Sequence, residues 1–189
     1  MLASGSPRRR ELLTSIGVAF DVVVSDVDES WSLDERPDAY VERVAAAKAA
    51  AVLDRLGGAV DTCVLAADTT VDLGGEILAK PPAADDARRR LASLSGRTHQ
   101  VHTAVVGHCP GGGSTVTVTT DVTFARLSAP AIDWYLSLGE HLDKAGAYGM
   151  QSAGAALVER IDGSPSNVIG LPLVETIGVL RACGVVAAG

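Results

Sequence analysis

Residues 62–67, TCVLAA, form a continuous apolar run closed by Asp68-Thr69-Thr70. A run this short and this apolar predicts a buried strand rather than an amphipathic helix. An acid at the end of such a strand lies where α/β sheets place their ligands, outside the carboxyl ends of the strands. A single Asp more often caps a turn. What favours function is the next segment. Residues 71–73 and 76–78 flank Gly74-Gly75, a two-residue hairpin turn, and Lys80-Pro81-Pro82 follows at its return. The prolines stiffen that exit. The hairpin is therefore expected to bring Asp68 and Lys80 to one rim.

The remaining pattern alternates short strands with helices. Ser6-Pro7 opens a helix, with Ser6 as N-cap and Pro7 at the first helical position, and Gly17 ends it. Residues 20–25 read as a strand, 26–36 as an acidic loop and 38–56 as a long Ala-rich helix. A helix is expected over 83–94, then two long strands over 100–107 and 115–125 joined by a flexible glycine tip at 109–114. A helix over 130–138, a glycine-punctuated loop over 139–154, a strand over 155–161, a turn or short helix over 164–169 and a helix over 172–183 complete the chain. No internal repeat or linker interrupts it, so residues 1–189 are expected to form one α/β domain in two lobes around a cleft.

Composition narrows the function classes. The chain has 189 residues and is 47% apolar, enough for a sizeable core, and no run of apolar residues reaches membrane-spanning length. Arg8-Arg9-Arg10 stands where a secretory signal needs its apolar segment. Cys63, Cys109 and Cys183 are odd in number and widely spaced, which predicts neither a disulfide framework nor a metal site. Together these features predict a reduced, cytoplasmic protein. The net charge of −7 argues against nucleic-acid backbone as a partner, but not against a small polyanion met by a local basic pocket or a divalent metal.

Three other segments could carry chemistry. In Ser4-Gly5-Ser6-Pro7-Arg8-Arg9 a strand ends, a glycine turns and a helix begins. Free N–H groups there, with the hydroxyls and arginines beside them, suit a phosphate as well as they suit an ordinary capped helix with solvated arginines. The acidic loop carries Asp26, Asp28 and Glu29. Carboxylates facing Asp68 would give a hard-oxygen site for Mg²⁺ or Mn²⁺, against the plainer reading of a solvated loop. In Gly146-Ala147-Tyr148-Gly149-Met150-Gln151, small residues would let a planar base approach, with the Gln151 amide reading its edge. A plain tight turn is the alternative. His99 and His102 fall on opposite faces of a strand, and all four histidines are assigned to structure. Asp143-Lys144 reads as a local ion pair or a turn.

With these segments quoted, the chain resembles the Maf family of nucleoside triphosphate pyrophosphatases. The matching stretches run in order from LASGSPRRRELL at 2–13 through DVDES at 26–30, VAAAKA at 44–49, AADTTV at 66–71, ILAKP at 77–81 and LSGRTHQVHTAV at 94–105. They continue with TTDVTF at 119–124, LDKAGAYGMQSAG at 142–154 and IGLPLVET at 169–176. The resemblance implies an elongated α/β fold of two lobes, with a twisted mixed sheet, flanking helices and a central cleft, similar to the inosine-triphosphatase-like fold. It implies a cytoplasmic, homodimeric enzyme that splits a nucleoside triphosphate into monophosphate and pyrophosphate with a divalent metal. Carried over by motif, Asp68 is the general base, Arg8, Lys48 and Lys80 contact the triphosphate, and Glu29 is a ligand to metal or water, with Asp68 as a second metal ligand. Ser4, Ser6 and Arg9 complete the anion site.

One branch of the family acts on thymidine and uridine triphosphates and another on 7-methyl-GTP. Arg8, Thr69 and Gln151 match the pyrimidine branch, and Gln151 and Thr69 are expected to read the base as a pyrimidine, while Thr70 and residues 164–167 depart from the branch pattern. The alternatives are a broader or modified-nucleotide pyrophosphatase, and a nucleotide-binding regulator of septum formation that binds without turnover.

Overall fold

The computed structural model describes residues 1–32, 34–57, 61–110 and 112–185. Its centre is a four-stranded sheet of β1 (Val64–Asp72), β2 (Thr98–Cys109), β3 (Gly112–Phe124) and β4 (Val158–Asp162), paired in that order. All three pairings are antiparallel. The parallel component comes from the N-terminus, where Leu2 bridges both Val22 and Leu65. Around the sheet lie α1 (Pro7–Ser15), α2 (Pro37–Arg55), α3 (Ala84–Leu94), α4 (Ala129–Ser137), α5 (Pro165–Ile169) and α6 (Leu173–Ala182).

Successive strand residues point to opposite faces of a sheet, and β1 uses this to separate two lots of neighbours. Val64 and Ala66 pack with Val41, Val44 and Ala45 of α2, whereas Leu65 and Ala67 pack with Leu13 of α1 and Val179 of α6. A third cluster joins the far end of the sheet, through Val71, Val101 and Phe124, to α3 and α4. The cleft opens between that cluster and the other two.

The helix signals hold well. Ser6 caps α1 by accepting from the Arg9 N–H at 3.5 Å, Pro7 takes the first helical position, and Gly17 follows with φ +73°. The strands depart from expectation in four places. β1 does not stop at residue 67 but runs to Asp72, so Asp68 stands in mid-strand rather than beyond its end. The β-branched residues Thr69, Thr70 and Val71 favour extension, and every residue of β1 finds a partner on β2. The expected strand over 20–25 is reduced to the single bridge at Val22. The expected strand over 155–161 begins as a 3₁₀ turn, Ala153–Leu157, and extends only from Val158. The two long strands are longer than expected, pairing as far as Cys109 with Gly112, which leaves a tighter tip. Gly111 of that tip lies outside the described residues.

The cysteines are the largest correction. Cys109 and Cys183 form a disulfide, and the free Cys63 thiol lies 2.7 Å from Cys109 Sγ. Sequence spacing hides this because the contacts are made by tertiary structure. Pairing of Val64 with His108 sets Cys63 beside Cys109, and packing of α6 against β2 delivers Cys183.

Candidate active site

The cleft encloses about 320 Å³ and is floored by the middle of β1. Five cationic side chains reach it, Arg8, Arg9, Lys48, Lys80 and Lys144, together with the carboxylates of Glu29, Asp68 and Asp143. A pocket with this excess of positive charge in a chain of net charge −7 suits a polyanion.

Asp68 shares the sheet face of Ala66 and so points toward α2. Lys48, one turn from the buried Val44 and Ala45, reaches it there, with Nζ 2.7 Å from Asp68 Oδ1. The same ammonium lies 2.7 Å from Glu29 Oε1. Two carboxylates therefore converge on one cation. Burial pushes the Asp68 carboxyl above its ordinary value, against the pull of Lys48 and Arg9. For Glu29 burial acts in the same upward sense, but Lys48 outweighs it and the net shift is downward. Glu29 is held in turn by Tyr40, whose hydroxyl donates to the Glu29 carbonyl at 2.9 Å. Burial and the two nearby carboxylates push the Tyr40 phenol up to about 12, so it stays a donor at neutral pH.

Thr69 points the other way, toward α1, and meets Arg9. The guanidinium donates from Nη2 to Thr69 Oγ1 at 3.0 Å, from Nε to the Gly170 carbonyl at 2.9 Å and from Nη1 to Ser4 Oγ at 3.2 Å. Arg9 is thus not a solvated arginine but a buried cation tying α1, β1 and the α5–α6 turn together. Ser4 is buried behind it and does not line the cleft, whereas Ser6 does. The Thr69 hydroxyl is engaged on both sides, since Thr103 Oγ1 lies 3.0 Å away and itself donates to the Asn167 carbonyl.

Arg8 crosses the cleft mouth to Asp143, with Nη1 2.8 Å from Oδ2. Lys144 Nζ meets Asp143 Oδ1 at 2.7 Å. Burial opposes ionisation of Asp143, but hydrogen bonds from Lys144 and Arg8 outweigh it and hold the carboxyl down at about 2. The local Asp143–Lys144 pair was legible in the sequence; its link to Arg8, 135 residues away, was not. Lys80 is exposed on the rim and makes no hydrogen bond or ion pair among the described residues. Of the acidic loop only Glu29 reaches the cleft; Asp28 instead accepts from the Ser30 N–H at 2.8 Å, and Asp26 is not among the lining residues.

The glycine segment closes the other wall. Gly146 and Ala147 are consecutive left-handed residues, at φ +67° and +65°. A Cβ on Gly146 would meet Val71 Cγ2 at 2.9 Å, and one on Gly149 would meet Lys144 Cε at 2.5 Å. Gly146 admits close packing against Val71, and Gly149 lines the cleft beside Lys144. Tyr148 is pinned behind them by His99, whose Nε2 lies 2.8 Å from the phenol oxygen. Gln151 is exposed on the cleft wall, and its amide has no partner among the described residues. His102 bonds Thr119 at 2.9 Å, consistent with the structural reading of the histidines.

Comparison with known proteins agrees with the motifs. The family model described as Maf-like protein matches residues 1–183. A dTTP/UTP pyrophosphatase of Anaeromyxobacter dehalogenans is 52% identical over 188 residues, covering 97% of this chain and 93% of the relative. One from Methylobacillus flagellatus is 52% identical, covering 100% and 94% respectively. One from Myxococcus xanthus is 49% identical over 184 residues, covering 97% and 92%. The cleft, its motifs and these matches together place the chain in the Maf family.

Proposed function

We propose that the chain hydrolyses nucleoside triphosphates between the α- and β-phosphates, releasing a monophosphate and pyrophosphate, with dTTP and UTP as preferred substrates. The observation that carries this is the convergence of Asp68 and Glu29 on Lys48, at the floor of a cleft rimmed with cations. The relatives named as dTTP/UTP pyrophosphatases support the reaction and the base preference.

The donor set fits a hard divalent cation. Glu29 Oε2 and Asp68 Oδ2 carry no hydrogen bond among the described residues, while their sister oxygens are held by Lys48. Two carboxylates are what Mg²⁺ commonly takes from a protein when phosphate oxygens and water supply the rest. Glu29 and Asp68 would hold it, and once bound it would neutralise phosphate charge and polarise the α-phosphorus.

The protein's own groups do the remaining work. Asp68 accepts the proton of the attacking water. Burial raises its pKa and makes it a stronger base than an ordinary Asp, while Lys48 and Arg9 favour its ionised form. Arg8, Arg9, Lys48 and Lys80 bind the triphosphate. Negative charge accumulates on the leaving pyrophosphate, so cations placed there act most strongly in the transition state. Lys80, unpaired among the described residues, is free to do this. Gln151 reads the base, its donor and acceptor matching the O4 and N3–H edge of uracil or thymine. Thr69, its hydroxyl engaged, positions Arg9 and with it the phosphates.

The same reading makes the protein a cytoplasmic homodimer that binds neither nucleic acid nor membrane. The location and the dimer rest on the family resemblance; the net charge of −7 supports the exclusion of nucleic acid, and among the described residues no helix is long and apolar enough to cross a membrane. The test is product analysis with Mg²⁺ against a panel of common and modified triphosphates. Monophosphate and pyrophosphate in equal amounts, fastest from dTTP and UTP, are expected. Release of orthophosphate, binding without turnover, or a preference for 7-methyl-GTP would overturn the proposal.

A further inference from the structure

Away from the cleft, three sulfurs meet. The Cys63, Cys109 and Cys183 Sγ atoms all lie within 4.8 Å of one another, and none of the three residues lines the active site. Cys63 immediately precedes β1, Cys109 ends β2, and Cys183 caps the C-terminus of α6. Gly107 makes the room. A Cβ there would lie 2.5 Å from Val179 Cγ1 and 3.0 Å from Cys183 Sγ, so only glycine lets α6 come down onto the sheet at this point. The Cys109–Cys183 bond holds the helix end to the strand, and the Cys63 sulfur lies in contact with Cys109 Sγ.

We propose that these cysteines form a thiol–disulfide exchange site in which Cys109 is shared between two partners and the free, modifiable thiol alternates between Cys63 and Cys183. The Cys63 thiolate attacks Cys109 Sγ. A Cys63–Cys109 bond forms as the Cys109–Cys183 bond breaks, and the electron pair leaves on the Cys183 sulfur. Cys63 has given up a proton and Cys183 takes one, so no external oxidant or reductant is consumed. Chain entropy favours neither isomer strongly. The two crosslinks span sequence separations of 74 and 46 residues, and a logarithmic closure cost sets them only about twofold apart. Burial pushes the Cys63 thiol up, so the exchange is slow at neutral pH and faster in mild alkali. In a reducing compartment a surviving disulfide is usually a transient, redox-responsive one rather than a permanent staple. A third sulfur in contact with the bond meets that description. Exchange detaches the end of α6 from β2 and exposes a new thiol to electrophiles.

The experiment uses the full chain, purified without reductant and equilibrated at mildly alkaline pH. The chain is quenched in acid, unfolded, alkylated and mapped by peptide mass. Label divided between Cys63 and Cys183, with Cys109 protected, is the expected result. Cys183→Ser in a glutathione redox buffer should form the Cys63–Cys109 bond, and Cys63→Ser should hold only Cys109–Cys183. Label on Cys63 alone, or on all three cysteines, overturns the proposal, as does a folded Cys183→Ser chain that stays fully reduced where Cys63→Ser oxidises. Should a serine variant fail to fold, the wild-type labelling decides alone.

Discussion

Lys48 Nζ lies 2.7 Å from Asp68 Oδ1, and the two side chains are only 10% and 8% exposed. A carboxylate in the middle of a buried strand is tolerable because an ammonium on the covering helix reaches it, and the ammonium is tolerable because two carboxylates meet it. Removing one partner of such a pair strands a buried charge. Lys48→Met is therefore expected to destabilise the fold by about 3 kcal/mol. Without the ammonium the Asp68 carboxyl, already raised by burial, rises further. The folded state then keeps a proton that the unfolded chain has released, so stability falls as pH rises through that window. Denaturant titrations of Lys48→Met at several pH values should show the deficit growing with pH, and adding Asp68→Asn should recover part of it.

Arg9 makes three hydrogen bonds that a lysine cannot reproduce as a planar fork. Arg9→Ala removes the guanidinium hydrogen bonds to the Gly170 carbonyl and two hydroxyls and is expected to cost about 2 kcal/mol. Arg9→Lys should recover some stability but little activity, because Thr69 and the α5–α6 turn would no longer be tied to α1. Comparing melts with kcat/KM for the two variants checks this. Wild-type kinetics in Arg9→Lys would mean that the fork is not needed.

His99 supplies a pH dependence of the opposite sign to that of Lys48→Met. Burial lowers its pKa from 6.5 to about 4. Between those values the unfolded chain binds the proton and the folded chain does not, so stability falls as pH drops from 6.5 toward 4 and is restored as pH rises. The loss across the window is about 3 kcal/mol. His99→Gln should lower stability at neutral pH, since Tyr148 loses its partner, and flatten the slope below pH 6.5. An unchanged slope would show that other groups carry the acid sensitivity.

Much of the site was legible in the chain, and what was not has a physical cause. Ser6-Pro7 fixes the start of α1 through purely local geometry, and Glu29, Asp68, Lys48 and Lys80 stand in motifs that are specific in combination. Asp68 was expected at a strand end because an apolar run ended at residue 67; the β-branched residues beyond it carry the strand on to Asp72. The Arg8–Asp143 contact and the cysteine cluster join residues 135 and 74 positions apart. No periodicity records such pairs. Thr69 was expected to read the base because its position matches the pyrimidine branch, whereas its face of β1, set by the alternation of the strand, turns it toward Arg9.

Gln151 is left with an unpartnered amide on the cleft wall. Gln151→Glu removes a donor and adds charge, and should lower kcat/KM for UTP and dTTP by at least about tenfold while leaving metal dependence unaltered. The comparison is kcat/KM for UTP, dTTP, CTP and 7-methyl-GTP in both proteins. An unchanged order of preference would assign specificity to cleft shape instead.

The most direct test is turnover of Asp68→Asn at saturating Mg²⁺, read as pyrophosphate released from UTP beside a thermal melt. Asn is nearly isosteric with Asp and Lys48 keeps Glu29 as a partner, so the fold should survive. With the proton acceptor gone, kcat should fall by about 10³-fold. A well-folded Asp68→Asn protein that releases pyrophosphate at close to the wild-type rate would contradict the account.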